Sequence, residues 1–467
     1  MEIKNVKLLF IGAGPANIFA ALELIAKGYH PDDIFIIEQG NSSFKRKCKS
    51  LPGEGCKKCK YCDVVYGFGG AGMFSDGKLE VKRNQKFDSS SAEKVFDHMR
   101  NHGLKLISPK EQKIVLDKLK AVDIILKSVG LNIQTDFVSQ HMGTENILAM
   151  TQSIERYLSD KKVNLLFNEE VVQVSFDLNR KTYLVETVNH EKKHCLYCSP
   201  ILVVGMGKSA HHKFEHIFKS MNFNGVEKPA IVGIRYEFST DTLLSLSENI
   251  LKDPLISLKT ELGDELTCYC TCHNGNVIYY YTGEVLLLGG HSKLESDSKV
   301  SNFGMAFIAN SQKLLKSREY AYSYARLVAT VGQNKPVIQT YGDFINNTEK
   351  DKNKKHRTSL PSYSYGNLNY LLPKAIAEAL RNYIERLAKV DKRFADKDNI
   401  LSAPVIEFVS PQFDLTKNFE SMYKNIFFSG ETSGKAYGIV TAAASGITIA
   451  DAIIEKNERT KDENTDY

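Results

Sequence analysis

The sequence predicts an α/β fold: a parallel-sheet domain assembled from separated segments, with a second, β-rich α+β domain inserted into it. Three observations predict it. An apolar strand at the N-terminus runs directly into a glycine turn and a helix. A second apolar strand follows and ends on an acid. Much later, Ile426 to Glu431 repeats the pattern of apolar strand, glycine and acid, after a long stretch of alternating strand texture.

The first forty residues carry the most information. Val6-Lys7-Leu8-Leu9-Phe10-Ile11 is a short apolar run, as a buried parallel strand should be. Gly12-Ala13-Gly14-Pro15-Ala16-Asn17 follows at once. Ile18 to Lys27 reads as a helix that turns Ala20, Ala21, Leu24 and Ile25 to a sheet, with Gly28 as its C-cap. Ile34 to Ile37 is the second strand, and Glu38 ends it. Gly12 permits the tight turn, and Gly14 lets backbone approach a pyrophosphate. The helix start at Pro15 and Ala16 offers free N–H groups and the positive end of the dipole. Glu38 stands where a carboxylate accepts from adenosine ribose hydroxyls. Strand, turn, helix, strand and acid in this order make a Rossmann-type dinucleotide site. Asn17 departs from the pattern, because a third glycine normally occupies its place. Looser helix–strand packing is expected there.

The 467 residues suffice for two domains, and 42% hydrophobic with 25% charged residues is a globular balance. No apolar run reaches membrane-spanning length, and Met1 leads straight into a core strand, so a soluble, cytoplasmic chain without a signal peptide is expected. The 61 basic and 55 acidic residues leave +6, which neither requires nor excludes nucleic acid. Nine cysteines, several of them clustered, favour metal or redox chemistry over structural disulfides.

Cys48, Cys56, Cys59 and Cys62 fall within fifteen residues of a basic loop. Four thiolates at that spacing can converge on zinc or an iron–sulfur cluster. A redox-active disulfide pair or plain thiols are the other readings. Gly67-Phe68-Gly69-Gly70-Ala71-Gly72-Met73-Phe74-Ser75-Asp76-Gly77-Lys78-Leu79 comes next. Five glycines in eleven residues mean backbone packed against something flat or charged. Gly69, Gly70 and Ser75 are therefore expected to line the pyrophosphate or ring of the dinucleotide.

This GFGGAGxFSDGKL stretch resembles the signature of a bacterial family of FAD-dependent dehydrogenases with the glutathione-reductase type of FAD fold. Members often carry a cysteine-rich loop just before it. The resemblance implies FAD as cofactor and an oxidoreductase acting on a small molecule, with NAD(P)H as a candidate reductant. It also organises the rest of the chain. Ile114, Leu116, Leu119, Val122 and Leu126 suit a helix on the outside of the FAD domain. His141-Met142-Gly143-Thr144-Glu145 is similar to the family's HIGTD segment. Val171 follows a strand whose end reads adenine in this fold. Gly205-Met206-Gly207-Lys208-Ser209-Ala210 reads either as a separate NAD(P) turn or, as the resemblance implies, as the second glycine turn of the FAD domain. Cys195 and Cys198 form a CxxC just upstream, too few for a complete metal site.

From Lys228 the texture becomes alternating strands, taken as the substrate domain. Cys268, Cys270 and Cys272 alternate along one strand and are expected to face one way. They resemble the family's FCxCPxG segment, with His273 in place of Pro. They can face the flavin or act as small core residues. Arg235 is a candidate to hold an anionic group, against a surface salt bridge. Pro336, Gln339, Asp343 and Phe344 resemble the family's PxQxxxDF end of this domain. Asn367 to Lys389 is amphipathic, with Ile376, Leu380, Tyr383, Ile384 and Leu387 on one face. Leu401 to Val405 is similar to the family's return strand.

The last segment is implied to complete the cofactor site. Gly430 and Glu431 would take the ribityl chain. Gly438 and Ile439 would start a helix aimed at the flavin pyrimidine edge. The expected division is residues 1–225 and 401–455 for the FAD domain, 226–400 for the substrate domain, and a disordered tail from 456. His141, Lys78 and His291 are the candidates for proton transfer. A flavin-dependent tRNA-modifying enzyme and an iron–sulfur electron-transfer protein remain the alternatives.

Overall fold

The computed structural model describes residues 3–48, 55–74, 77–82, 89–135, 137–207, 213–242, 254–282, 284–292, 296, 298–310, 318–407 and 410–465. Its first sheet has five parallel strands, in spatial order Ile426–Phe428, Leu202–Val204, Leu8–Ile11, Ile34–Glu38 and Asn164–Phe167. The chain runs outward from the central strand on one side, then returns to build the other side. The reversal falls between Leu8–Ile11 and Leu202–Val204. Ligands bind parallel sheets beyond the carboxyl ends of the strands at such a switch point. Gly12 and Gly205 stand directly after those two strands.

The helix Pro15–Ala26 packs on this sheet and on the last helix, Ile439–Thr465. Asn17 does not loosen the packing. It is fully buried, and its Nδ2 donates to the carbonyls of Ile11 at 3.0 Å and Gly12 at 2.8 Å. Its Oδ1 accepts from Ser429 Oγ at 2.6 Å. An amide thus joins the first turn to the end of the C-terminal strand, which a third glycine does not do. The last helix also corrects the expected disordered tail: it continues to Thr465, and Lys456 reaches Asn425 Oδ1 at 3.1 Å and Glu420.

A charge cluster around the buried Glu23 fastens the outer helices. Lys94, on Ser89–Asn101, meets Glu23 at 2.9 Å and Asp451 at 3.0 Å, and His98 meets Glu23 at 3.1 Å. Burial alone would raise the Glu23 pKa, but the bonds from His98 and Lys94 hold it at about 2. A carboxyl whose pKa is depressed on folding stabilises above its unfolded value of 4.5 and loses that stability as pH falls towards 2. Glu23→Gln is therefore expected to lower the melting temperature at neutral pH, by an amount on the order of 3 kcal/mol or less. The deficit should close between pH 4.5 and about 2. A deficit of constant size in thermal melts across that range would contradict the assignment.

The second sheet has eight strands, in order Ser364–Tyr365, Val337–Thr340, Ile400–Glu407, Ile231–Ser239, Val300–Ile308, Glu265–Cys272, Ile256–Lys259 and Asn132–Ile133. All its pairings are antiparallel except that of Ser364–Tyr365 with Val337–Thr340. Lys374–Val390 covers one face and buries Ile376, Leu380, Tyr383, Ile384 and Leu387, as its periodicity predicts. Pro109–Ser128 also joins this core, through Leu116, Leu119, Val122 and Leu126, rather than covering the first sheet. Ile114 is exposed. Amphipathicity shows that a helix has a partner but not which one. Leu401 to Val405, expected in the first domain, lie inside the second sheet. Return to the first sheet comes later, at Ile426.

Candidate active site

A cavity of about 480 Å³ opens beyond the carboxyl ends of the first sheet and extends to the second sheet. Gly12, Gly14, Pro15 and Ala16 line it from the first turn, and Glu38, Val171 and Gly205 from strand ends and the second turn. The C-terminal segment adds Gly430, Glu431, Gly438 and Ile439. The starts of two helices, Pro15–Ala26 and Ile439–Thr465, therefore face one space. Gly12 has φ +93°, and a Cβ there would stand 2.3 Å from the Gly205 carbonyl oxygen, so the two turns need a glycine to meet. Gly14, Gly207 and Gly438 differ. All three line the cavity, and a Cβ on any of them would meet nothing within 4 Å.

Glu38 is buried and holds three loops. Its Oε2 accepts from Ala13 N–H at 2.9 Å. Its Oε1 accepts from Gly40 N–H at 2.8 Å and Gly67 N–H at 2.9 Å. A carboxylate offers about four acceptor sites, so about one remains on Oε2. Of the glycine-rich stretch, Gly70 lines the cavity, close on Gly14: its Cβ would lie 3.2 Å from Gly14 Cα. Gly69 turns away, because its N–H donates to Ala13 O at 2.8 Å and it packs on Met73 and Thr151. Asn17, tied behind the turn, is likewise not a lining residue. Ser75 lies outside the described residues.

Lys78 and His291 line the cavity. His141 stands behind them. It pairs across from Lys78, and its Nε2 lies 2.7 Å from the hydroxyl of Ser292, next to His291. Two of the three candidates for proton transfer therefore reach the cavity directly.

Among the described residues no group of three or more His, Cys, Asp or Glu is placed to hold a metal ion. None of Cys48, Cys56, Cys59 and Cys62 is in a disulfide. Cys59 is exposed, whereas Cys62 is buried and its thiol pKa is pushed up by that burial. The row of Cys268, Cys270 and Cys272 does not share one face either. Cys268 pairs opposite Met305, but Cys272 pairs opposite Asn302, and a register shift separates them. An extra residue in the strand reverses the alternation. Cys270 sits in that bulge at φ +49° and lines the cavity, while Cys268 is packed in the core.

Several residues at the site carry no signal in the sequence. Arg46 is buried in the cysteine-rich loop and donates to the carbonyls of Asp63, Phe68 and Gly70 at 2.8–3.0 Å, with its guanidinium over Phe74. Burial lowers its pKa to about 10, against the pull of Glu38 and Asp63. Lys213 pairs with Glu170 beside Val171, and Tyr61 donates to Glu170 at 2.8 Å. Burial works against that carboxylate, but Lys213 and Tyr61 hold its pKa below the usual range. Arg235, already a candidate from the sequence, completes the wall with Tyr269 and Cys270 on the second sheet and with Tyr280 on the separate strand pair Asn276–Tyr281 and Leu286–His291. Burial alone would lower the Arg235 pKa, but the Cys270 and Cys272 thiols and the Tyr269 phenol reverse this and raise it.

Residues 249–406 match the family described as FAD-dependent protein, C-terminal domain-like. This segment supplies most of the eight-stranded sheet. By that description the match is to a protein that depends on FAD. Over 97% of its length the chain is 26% identical to 82% of an uncharacterized protein of Clostridium beijerinckii. Among solved structures it is similar to a flavoprotein/dehydrogenase from Cytophaga hutchinsonii, at 9% identity and TM-score 0.40, covering 97% of this chain and 79% of that one. It is also similar to a formate oxidase, at 10% identity and TM-score 0.45, over 98% of this chain and all of the other. Among the described residues no helix is long and apolar enough to cross a membrane.

Proposed function

We propose that this chain binds FAD across the two glycine turns and passes hydride or electrons between the flavin and a small organic molecule held against the second sheet. Bound FAD supplies the redox chemistry at its ring. The protein positions both partners and excludes water. Gly12, Gly14, Pro15 and Ala16 would take the pyrophosphate at the helix start, with Gly70 and Gly205 beside it. The remaining acceptor site of Glu38 would take a ribose hydroxyl, and Val171 would flank the adenine. Gly430 and Glu431 would meet the ribityl chain. Gly438 and Ile439 would set the positive end of the last helix at the flavin. Residues 226–407, with the helix Pro109–Ser128 and the strand Asn132–Ile133, form the substrate-facing unit in this reading. His291 and Lys78 are the groups placed to move a proton, and His141 orients the segment that bears His291.

The observation that carries this reading is Gly14, which lines the cavity with open space where a Cβ would stand. Protein atoms alone give no steric reason for glycine at Gly14, where φ is −80°. A ligand lying against the backbone does. Gly14→Val is therefore expected to leave the melting temperature of the apoprotein nearly unchanged. It should also reduce the FAD retained on purification at least tenfold. Absorbance of the released flavin and a thermal melt of stripped protein measure the two effects. Wild-type protein that neither retains nor takes up FAD, or a Gly14→Val variant that binds it normally, would defeat the proposal. Reduction of the flavin by NADH, NADPH and candidate substrates then decides whether the enzyme works as a dehydrogenase or a reductase.

A further inference from the structure

Arg235 is only 1% exposed, yet it lines the cavity. Its Nη2 donates to the Cys270 carbonyl at 2.9 Å and to Asn302 Oδ1, and lies 3.6 Å from Cys272 Sγ. None of these partners is a carboxylate. Its Nε is buried and makes no hydrogen bond. The nearest acid along the strand is already engaged: both oxygens of Glu237 accept from Thr358 and Ser359, at 2.6–2.9 Å. Glu407 also lines the cavity, but it pairs across from Ile231, well down the strand from Arg235.

A buried cation with no carboxylate among its hydrogen-bond partners is costly to keep, and Glu237 offsets its charge only from two residues along the strand, so a fold that keeps one has a use for it. This fold also makes room for it. A Cβ on Gly290 would stand 2.5 Å from Arg235 Nη2 and 2.4 Å from Cys272 Sγ. The guanidinium therefore lies over a glycine, and Asn302 and the Cys270 carbonyl fix it from one side. The Cys270 bulge belongs to the same arrangement, because it turns that carbonyl to the guanidinium.

We propose that Arg235 pairs with a carboxylate of the substrate, which makes the substrate a small organic acid anchored on the second sheet. This rests on the flavin reading for the fate of the bound acid, but not for its binding. An arginine held from one side is suited to a charge-assisted pair with an incoming carboxylate.

The test uses the purified holoenzyme and a panel of monocarboxylates from acetate to benzoate, each beside its neutral amide. Binding is read by thermal shift and by perturbation of the flavin absorbance. At least one acid should bind, with its amide at least about thirtyfold weaker. Arg235→Gln should keep its flavin and lose the acid's effect. Gly290→Ala, which forces the guanidinium aside, should weaken the acid without removing charge. Three results overturn the proposal: acid and amide binding alike, no acid of the panel binding, or Arg235→Gln still binding the acid as the wild type does. If Arg235→Gln does not fold, the comparison of acid with amide on the wild type decides. Flavin measured on the same samples separates the two proposals. FAD bound without any acid effect sinks only this one. An acid effect by thermal shift on protein that cannot take up FAD sinks only the flavin reading.

Discussion

Glu38→Ala is expected to lose FAD and stability together. Its carboxylate accepts three buried backbone N–H groups, from Ala13, Gly40 and Gly67. Alanine would leave all three without an acceptor. Hydrogen bonds to a charged group contribute roughly 1.5–3 kcal/mol each, and the three are not independent, so a combined loss of about 3 kcal/mol or more is expected. The loops they hold carry Gly12, Gly14 and Gly70, which line the cavity. Flavin content should therefore fall at least a hundredfold. Glu38→Gln should fall between wild type and Glu38→Ala. Its amide oxygen can still serve Gly40 and Gly67, whereas its NH₂ group faces the Ala13 N–H. Thermal melts of apoprotein and FAD titrations on all three proteins check the ranking. A Glu38→Ala apoprotein as stable as wild type would mean that the three bonds do not organise the loops.

Gly446→Ala is expected to destabilise the protein strongly, although alanine favours helix by about 1 kcal/mol over glycine. Gly446 lies where the last helix crosses Pro15–Ala26. A Cβ would stand 1.9 Å from the Ala16 carbonyl oxygen and 2.8 Å from its carbon. Both are backbone atoms, so the helices themselves must separate. Overpacking of this kind typically costs about 1–3 kcal/mol, and more where nothing flexible can yield. Ala16 also lines the cavity, so the shift should reach the flavin. The expected result is a lower melting temperature with reduced flavin retention, measured on the same preparation. A variant more stable than wild type would show that helix propensity outweighs the crossing.

Much of the first domain is legible in the chain because its rules are local. A turn with φ +93° at Gly12 needs glycine, a helix start needs free N–H groups, and an apolar run of four to six residues makes a buried strand. Those rules place Gly12, Gly14, Pro15, Ala16 and Glu38 around one space, and the structure finds them on one cavity. The helix Lys374–Val390 is legible for the same reason, since its periodicity belongs to it alone.

What tertiary structure decides is who meets whom. The apolar stripe of Pro109–Ser128 would suit either sheet, and only packing assigns it to the second. The alternation of Cys268, Cys270 and Cys272 holds until a partner strand is present. The pairing with Val300–Ile308 then inserts a bulge and turns Cys272 to the opposite face. Asn17 looks like a defect in a glycine motif until Ser429, 412 residues away, appears beside it. Arg46 is one basic residue among many, whereas Arg235 is a candidate for an anion with a surface salt bridge as the other reading; burial against carbonyls and an amide from other segments decides both. The sequence by itself determined the cofactor-like turns, whose geometry each short segment dictates. The cavity wall that faces a substrate was decided by long-range contacts, because register, burial and charge pairing are properties of two segments at once.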